Sequence, residues 1–176
     1  DLIIAIVFFV LIISLVICVI LASSSSSEDS KDKDKGKEKT DNEIGIINCI
    51  YDIHSSSLET QILGIQYDKG LSEFDILVDG EKVKYSKTYK FNISKTYNVQ
   101  FQLYTDINMD YMFQNISSLI SVELISKKKA KIKSMISSFD KCFNLESFII
   151  DGFDLQQIKS FHKLFYSLLK DNFYIT

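Results

Sequence analysis

The pattern of apolar and polar positions changes character three times along this chain. Residues Leu2 to Ala22 form an apolar run without a single charge. A helix of that length spans roughly 31 Å, about the hydrocarbon thickness of a bilayer. The run predicts a transmembrane helix over residues 1–22; the alternative is a cleaved signal peptide, whose apolar region is usually shorter, about 7–15 residues. Residues 23–43 then carry a serine run followed by Lys alternating with Asp or Glu, with no apolar side chain. Such a segment cannot bury enough surface to offset its ordering entropy, so a disordered linker is expected.

From Ile44 the apolar period becomes two. Ile47, Cys49, Tyr51 and Ile53 share one face, and Tyr97, Val99, Phe101 and Leu103 alternate with Asn98, Gln100 and Gln102. Both segments predict half-buried strands. Phe74, Ile76 and Val78 alternate up to Asp79-Gly80, and Val83 and Tyr85 alternate away from it, where Asp-Gly supplies the positive φ of a two-residue hairpin. Leu63, Ile65 and Tyr67 suggest a further strand, and Tyr89 and Phe91 another. This regular spacing predicts a small β-sandwich-like domain over residues 44–106.

The last stretch repeats. Phe113, Phe139 and Phe165 are each 26 residues apart, as are Met109, Met135 and Phe161, and Leu119 and Leu145. Met109, Met112, Phe113 and Ile116 follow offsets 0, 3, 4 and 7, as do Phe161, Leu164, Phe165 and Leu168, which predicts a helix face of about three turns. Leu119, Val122 and Leu124, then Leu145, Phe148 and Ile150, read L-x-x-φ-x-φ, the strand core of a leucine-rich repeat. A fixed period in this range marks a solenoid. The expected fold class is therefore α+β: a transmembrane helix, a small β-sandwich-like domain, and a leucine-rich repeat solenoid of strands and short helices over residues 107–176. Its repeat core is Met109, Phe113, Leu119, Met135, Phe139, Leu145, Phe161 and Phe165.

The strings MFQNISSLISVEL and SFDKCFNLESFIIDGFD resemble the MF-x-x-C-x-x-L-x-x-L-x-L units of BspA-type leucine-rich repeat surface proteins. Cys142 falls at the cysteine position of that unit, where the neighbouring units carry Ile116 and Leu168. Two departures stand out: Lys127-Lys128-Lys129-Ala130-Lys131 fills the usual turn, and after Leu169 the register slips by one residue. The resemblance implies a surface or adhesion protein, held in the plasma membrane through residues 2–22 with residues 44–176 extracellular. A protein or surface ligand is its expected partner. The rival reading is the regulatory or sensory part of a larger membrane protein whose catalytic part lies outside this chain.

Composition narrows the chemistry. All 20 basic residues are lysine and the net charge is −3, which gives no cationic footprint for nucleic acid. Cys18, Cys49 and Cys142 are widely spaced and odd in number, unlike a disulfide framework or a zinc site. Cys49 and Cys142 occupy small apolar core positions and read as buried thiols, with a disulfide between them as the alternative. His54 and His162 have no ligand or base at useful spacing. Asp110, Asp140 and Glu146 form no paired acid, and neither a glycine-rich phosphate loop nor an activated nucleophile is present. The reading is therefore a non-enzyme without metal or cofactor.

The lysine cluster from Lys127 to Lys133 reads as a solvated insertion at the end of a strand, with binding of an acidic partner or anionic lipid headgroups as the alternative. Asn92-Ile93-Ser94 and Asn115-Ile116-Ser117 are N-glycosylation sequons, giving Asn92 and Asn115 as candidate sites. Asn115 also suits a residue that ends the short helix in the left-handed conformation. In the repeat strands, two-residue alternation turns Ser121, Glu123, Ser147 and Ile149 outward on the concave face, where they form the expected binding surface.

Overall fold

In the computed structural model of this chain, the described residues are 42–55, 58–68, 73–158, 161–166 and 174–175. The apolar run 2–22 and all but the last two residues of the expected linker lie outside them. Among the described residues there is no α-helix, and no helix is long and apolar enough to cross a membrane.

The elements are β1 (Gly45–Asp52), β2 (Glu59–Gln61), β3 (Phe74–Val78), β4 (Glu81–Val83), β5 (Thr88–Lys90), β6 (Thr96–Leu103), β7 (Ile107–Asn108), β8 (Leu119–Ser126), β9 (Ile132–Ser134), β10 (Ser147–Asp151) and β11 (Tyr174–Ile175). Seven of them form one sheet in the order β11-β10-β8-β1-β6-β3-β4, while β2 pairs with β5 and β7 with β9 in two-stranded pieces. The pairs from β8 through β4 are antiparallel; β8, β10 and β11 run parallel. The β3–β4 hairpin turns through Asp79 and Gly80, whose φ angles are 49° and 87°. Asp79 is held there by the Lys95 ammonium at 2.6 Å and by the Asn98 N–H at 3.0 Å, and these bonds keep its carboxyl below the usual range.

The α+β architecture, the separate β-sandwich and the solenoid are all overturned by this arrangement. Strand β8 of the repeat segment has β1 on one side and β10 on the other. Strands β1, β3, β4 and β6 and the repeat strands therefore share one sheet and one core, instead of a sandwich followed by a separate solenoid. The physical cause is long-range pairing: Gly45 through Ile50 match Ser126 through Ser121 residue for residue. A local period of two cannot announce which strand will be the neighbour.

The expected helices are replaced by consecutive tight turns. Met112 N–H donates to Met109 O at 2.9 Å and Gln114 N–H to Tyr111 O at 3.2 Å, three residues back. The intervening donors leave the segment altogether: Met109, Tyr111, Phe113 and Asn115 N–H groups donate to the carbonyls of Ser134, Ile136, Ser138 and Asp140. Ser137, Phe139 and Lys141 repeat the pattern onto His162, Leu164 and Tyr166. An α-helix would consume these N–H groups internally. Left-handed residues at Tyr111, Asn115, Ser137, Lys141 and Lys163, with φ between 52° and 63°, close the turns instead. The 0, 3, 4, 7 spacing is thus met by turns that bury Met109, Met112, Phe113 and Ile116.

Two further expectations fail. Residues 63–67 are a turn and not a strand: Gly64 N–H donates to Met112 O at 2.7 Å and Tyr67 N–H to Gly64 O at 3.0 Å. Leu63 and Tyr67 are buried, but Ile65 is 72% exposed. Phe161, assigned to the repeat core, is 54% exposed. It lines an open apolar hollow of about 810 Å³ with Phe148, Ile150 and Phe165, and no described layer covers it. The other core assignments lie inside: Met109, Phe113, Leu119, Met135, Phe139 and Leu145 are fully buried, and Phe165 is half-buried against them.

Candidate binding face

One face of the seven-stranded sheet carries the core: Ile47, Cys49, Tyr51, Val99, Phe101, Ile76, Val122 and Leu124 are all buried there. By the pleat, the intervening residues stand on the other face. The registers set them in transverse rows. One row runs Lys82, Leu77, Gln100, Asn48, Glu123, Ile149 across six strands. The rows beside it run Asp75, Gln102, Ile46, Ile125, Asp151 and Asn98, Ile50, Ser121, Ser147. None of these residues is buried.

A side-chain ladder links the middle row. Gln100 Nε2 donates to Asn48 Oδ1 at 2.8 Å, and Asn48 Nδ2 donates to Glu123 Oε2 at 3.2 Å. The order is dictated by chemistry. An ionised carboxylate only accepts, so Asn48 must present its amino group to Glu123 and its oxygen to Gln100. The ladder thus points its donors at Glu123 and makes that carboxylate the end of a directed chain. Around it, Ile46, Ile50, Ile125, Ile149 and Leu77 supply half-exposed aliphatic surface.

The charges on this face are mostly acidic. Asp52, Asp75, Glu123 and Asp151 stand with Lys82, whose ammonium is held by Asp75 at 2.6 Å. Asp75 also accepts from the Tyr104 hydroxyl at 2.9 Å. Partial burial and that bond push the Tyr104 hydroxyl up to about 12.

The four residues singled out in the repeat strands come together here. Ser147 lies beside Ser121, and Ile149 beside Glu123, in the parallel β8–β10 register. What strand alternation in the repeats did not reveal is the extension through Asn48, Ile46 and Ile50 of β1, Gln100 of β6 and Leu77 of β3. The signal was present in the polar positions of residues 46–50 and 98–102. A period of two does not say that those strands join the repeat strands in one sheet.

The remaining candidates lie elsewhere. Asn92 and Asn115 are exposed, Asn115 with φ 63°. Lys127, Lys128 and Lys129 form an exposed loop between β8 and β9, with Lys127 paired to Glu43 at 2.7 Å. His54 is exposed, its Nε2 at 3.5 Å from Asp52 Oδ2, and His162 is exposed as well. Among the described residues no group of three or more His, Cys, Asp or Glu is placed to hold a metal ion.

Cys49 and Cys142 are free and buried, so they form no disulfide. Burial pushes the Cys49 thiol well above its ordinary value and the Cys142 thiol up to about 12. Cys142 Sγ donates to Phe113 O at 2.9 Å. Both are small buried hydrophobes, and among the described residues no cation draws out a thiolate.

No known protein family matches this chain, and no curated protein or solved structure matches it either. The likeness to BspA-type repeats rests on the residues quoted for it.

Proposed function

We propose that this chain is a protein-binding module whose outer sheet face, centred on the Gln100–Asn48–Glu123 ladder, receives a partner surface carrying basic and aliphatic side chains. The observation that supports this reading is the ladder itself. Three polar side chains from three strands are held in one line by hydrogen bonds, flanked on both sides by half-exposed isoleucines. Such a mixture of pre-oriented polar groups and aliphatic surface is what a protein interface uses: apolar area for affinity, fixed polar groups for orientation. The partner's charge follows from the excess of carboxylates over lysine on this face.

The test uses displayed random peptides selected on the whole chain, with counter-selection on the Glu123→Lys, Ile149→Asp double variant. The expected winners pair Lys or Arg with aliphatic residues and bind the double variant at least ten-fold more weakly. Winners that bind both proteins alike, or that lack basic residues, would remove the sheet face from consideration.

A further inference from the structure

The chain carries two Asp-Gly pairs, Asp79-Gly80 and Asp151-Gly152. In such a pair the backbone nitrogen of the glycine can attack the side-chain carboxyl of the aspartate, because the glycine has no Cβ to shield that nitrogen or restrict its approach. By local sequence the two pairs are alike, each preceded by a β-branched residue, Val78 or Ile150. Both are exposed, and both glycines hold a positive φ, 87° at Gly80 and 72° at Gly152. Neither exposure nor glycine conformation separates them.

Their hydrogen bonds do. Asp79 is held at three points: its N–H donates to Asn98 O at 2.8 Å, its Oδ1 accepts from Asn98 N–H at 3.0 Å, and its Oδ2 lies 2.6 Å from Lys95 Nζ. The bonds from Lys95 and Asn98 keep this carboxyl below the usual range, so its protonated form, the one open to attack, is made rarer. They also fix the carboxyl in place. Among the described residues the Asp151 carboxylate makes no hydrogen bond or ion pair. Asp151 is the last residue of β10 and pairs with Ile125 of β8, whereas the described pairing of β10 with β11 covers only Ser147 and Phe148. A strand end paired on one side opens at low cost.

We propose that Asp151-Gly152 is a self-modification site that converts to isoaspartate through a cyclic imide, while Asp79-Gly80 is protected. The Gly152 nitrogen attacks Cγ of the protonated Asp151 carboxyl. The N–Cγ bond forms, and the carboxyl hydroxyl leaves as water with the proton of the Gly152 N–H. Water then adds at the main-chain carbonyl carbon of Asp151 and breaks its bond to the Gly152 nitrogen. The chain now runs through Cγ, and the former main-chain carbonyl is a free carboxylate. One water leaves and one returns, so neither an oxidant nor a second substrate is needed. Because Asp151 stands beside Ile125 in a row of the outer sheet face, the reaction lengthens the backbone and moves a carboxylate at the rim of that face. It proceeds whatever that face binds.

The test ages the whole chain at physiological temperature and near-neutral pH, once folded and once in enough urea to unfold it. Peptides covering the two pairs are then compared by electron-transfer fragmentation, which cleaves beside the methylene that isoaspartate inserts in the backbone. In the folded protein isoaspartate should build up at Asp151 at least about ten-fold faster than at Asp79, the worth of one hydrogen bond to a charged group. In urea the two rates should be close to equal, because the protecting bonds of Asp79 are gone. Equal rates in the folded protein, no isoaspartate at Asp151, or a preference for Asp151 that survives in urea would each overturn the assignment.

Discussion

Phe113 and Phe139, 26 residues apart in the chain, lie with ring centroids 5.5 Å apart and planes within 10° of parallel. Phe165 repeats the contact on Phe139 at 5.5 Å and 16°. The backbone explains the regularity. Phe113 N–H donates to Ser138 O at 3.0 Å and Phe139 N–H to Leu164 O at 3.0 Å, so each turn is hydrogen-bonded to the next in the same offset.

Phe139 sits between two aromatic neighbours and also meets Phe148 edge-on at 5.0 Å. Phe139→Ala should destabilise the fold by about 3–5 kcal/mol, through lost burial and the cavity left behind. Phe161→Ala, at an exposed position of the same sequence repeat, should change stability by no more than about 0.5 kcal/mol. Urea denaturation of the two variants separates them; equal losses would mean that Phe161 is covered.

Two glycines should respond differently to alanine. At Gly64 a Cβ would lie 2.0 Å from the Tyr111 carbonyl, so the loop must shift. Gly64→Ala should cost about 1–3 kcal/mol from overpacking. At Gly80 a Cβ meets nothing within 4 Å, but φ is 87°. Gly80→Ala should cost about 1–2 kcal/mol from backbone strain alone. The backbone amide resonance of Gln114, which a Gly64 Cβ would approach to 3.2 Å, should move in the first variant and stay in place in the second.

The buried thiols set an alkaline limit on stability. Below the ordinary thiol value of 9.0 both Cys49 and Cys142 are protonated in either state, and their contribution is complete. As pH rises from 9.0 towards about 12, an unfolded chain releases the Cys142 proton that the folded chain keeps, so stability falls. The slope approaches about 1.4 kcal/mol per pH unit for each such group. Urea midpoints measured just below and one unit above the ordinary value should show this decline, and Cys142→Ala should make it shallower while the Cys49 share remains. Cys49 and Cys142, both buried, should also resist alkylation until the protein unfolds.

Glu123→Lys with Ile149→Asp should leave the fold intact, because both positions are half-exposed on the outer face. The cost should stay near 1 kcal/mol, chiefly from losing the Asn48 bond to Glu123. Thermal melting decides it. Complete unfolding would mean that the outer face is packed against something the chain itself supplies.

Much of the local structure is legible in the sequence. Asp79-Gly80 announced its hairpin because two consecutive positive φ values suit few residue pairs. The alternation of Ile47, Cys49 and Tyr51, and of Val99, Phe101 and Leu103, named the buried face of β1 and β6, because successive side chains of a strand point to opposite sides. The 26-residue echo of Phe113, Phe139 and Phe165 was visible as spacing alone.

Two things were decided only by the tertiary structure. The first is the backbone state of residues 109–116. Offsets of 0, 3, 4 and 7 describe a helix equally well, and only the diversion of alternate N–H groups to residues 134–140 excludes it. The second is the neighbour of each strand. Asn48 and Glu123 are 75 positions apart, yet they share a hydrogen bond because β1 pairs with β8. The sequence by itself determined which side of each strand is apolar, since that is a property of consecutive residues. Which strands lie side by side, and hence which polar residues meet on the outer face, depends on the shared core that all of them bury together.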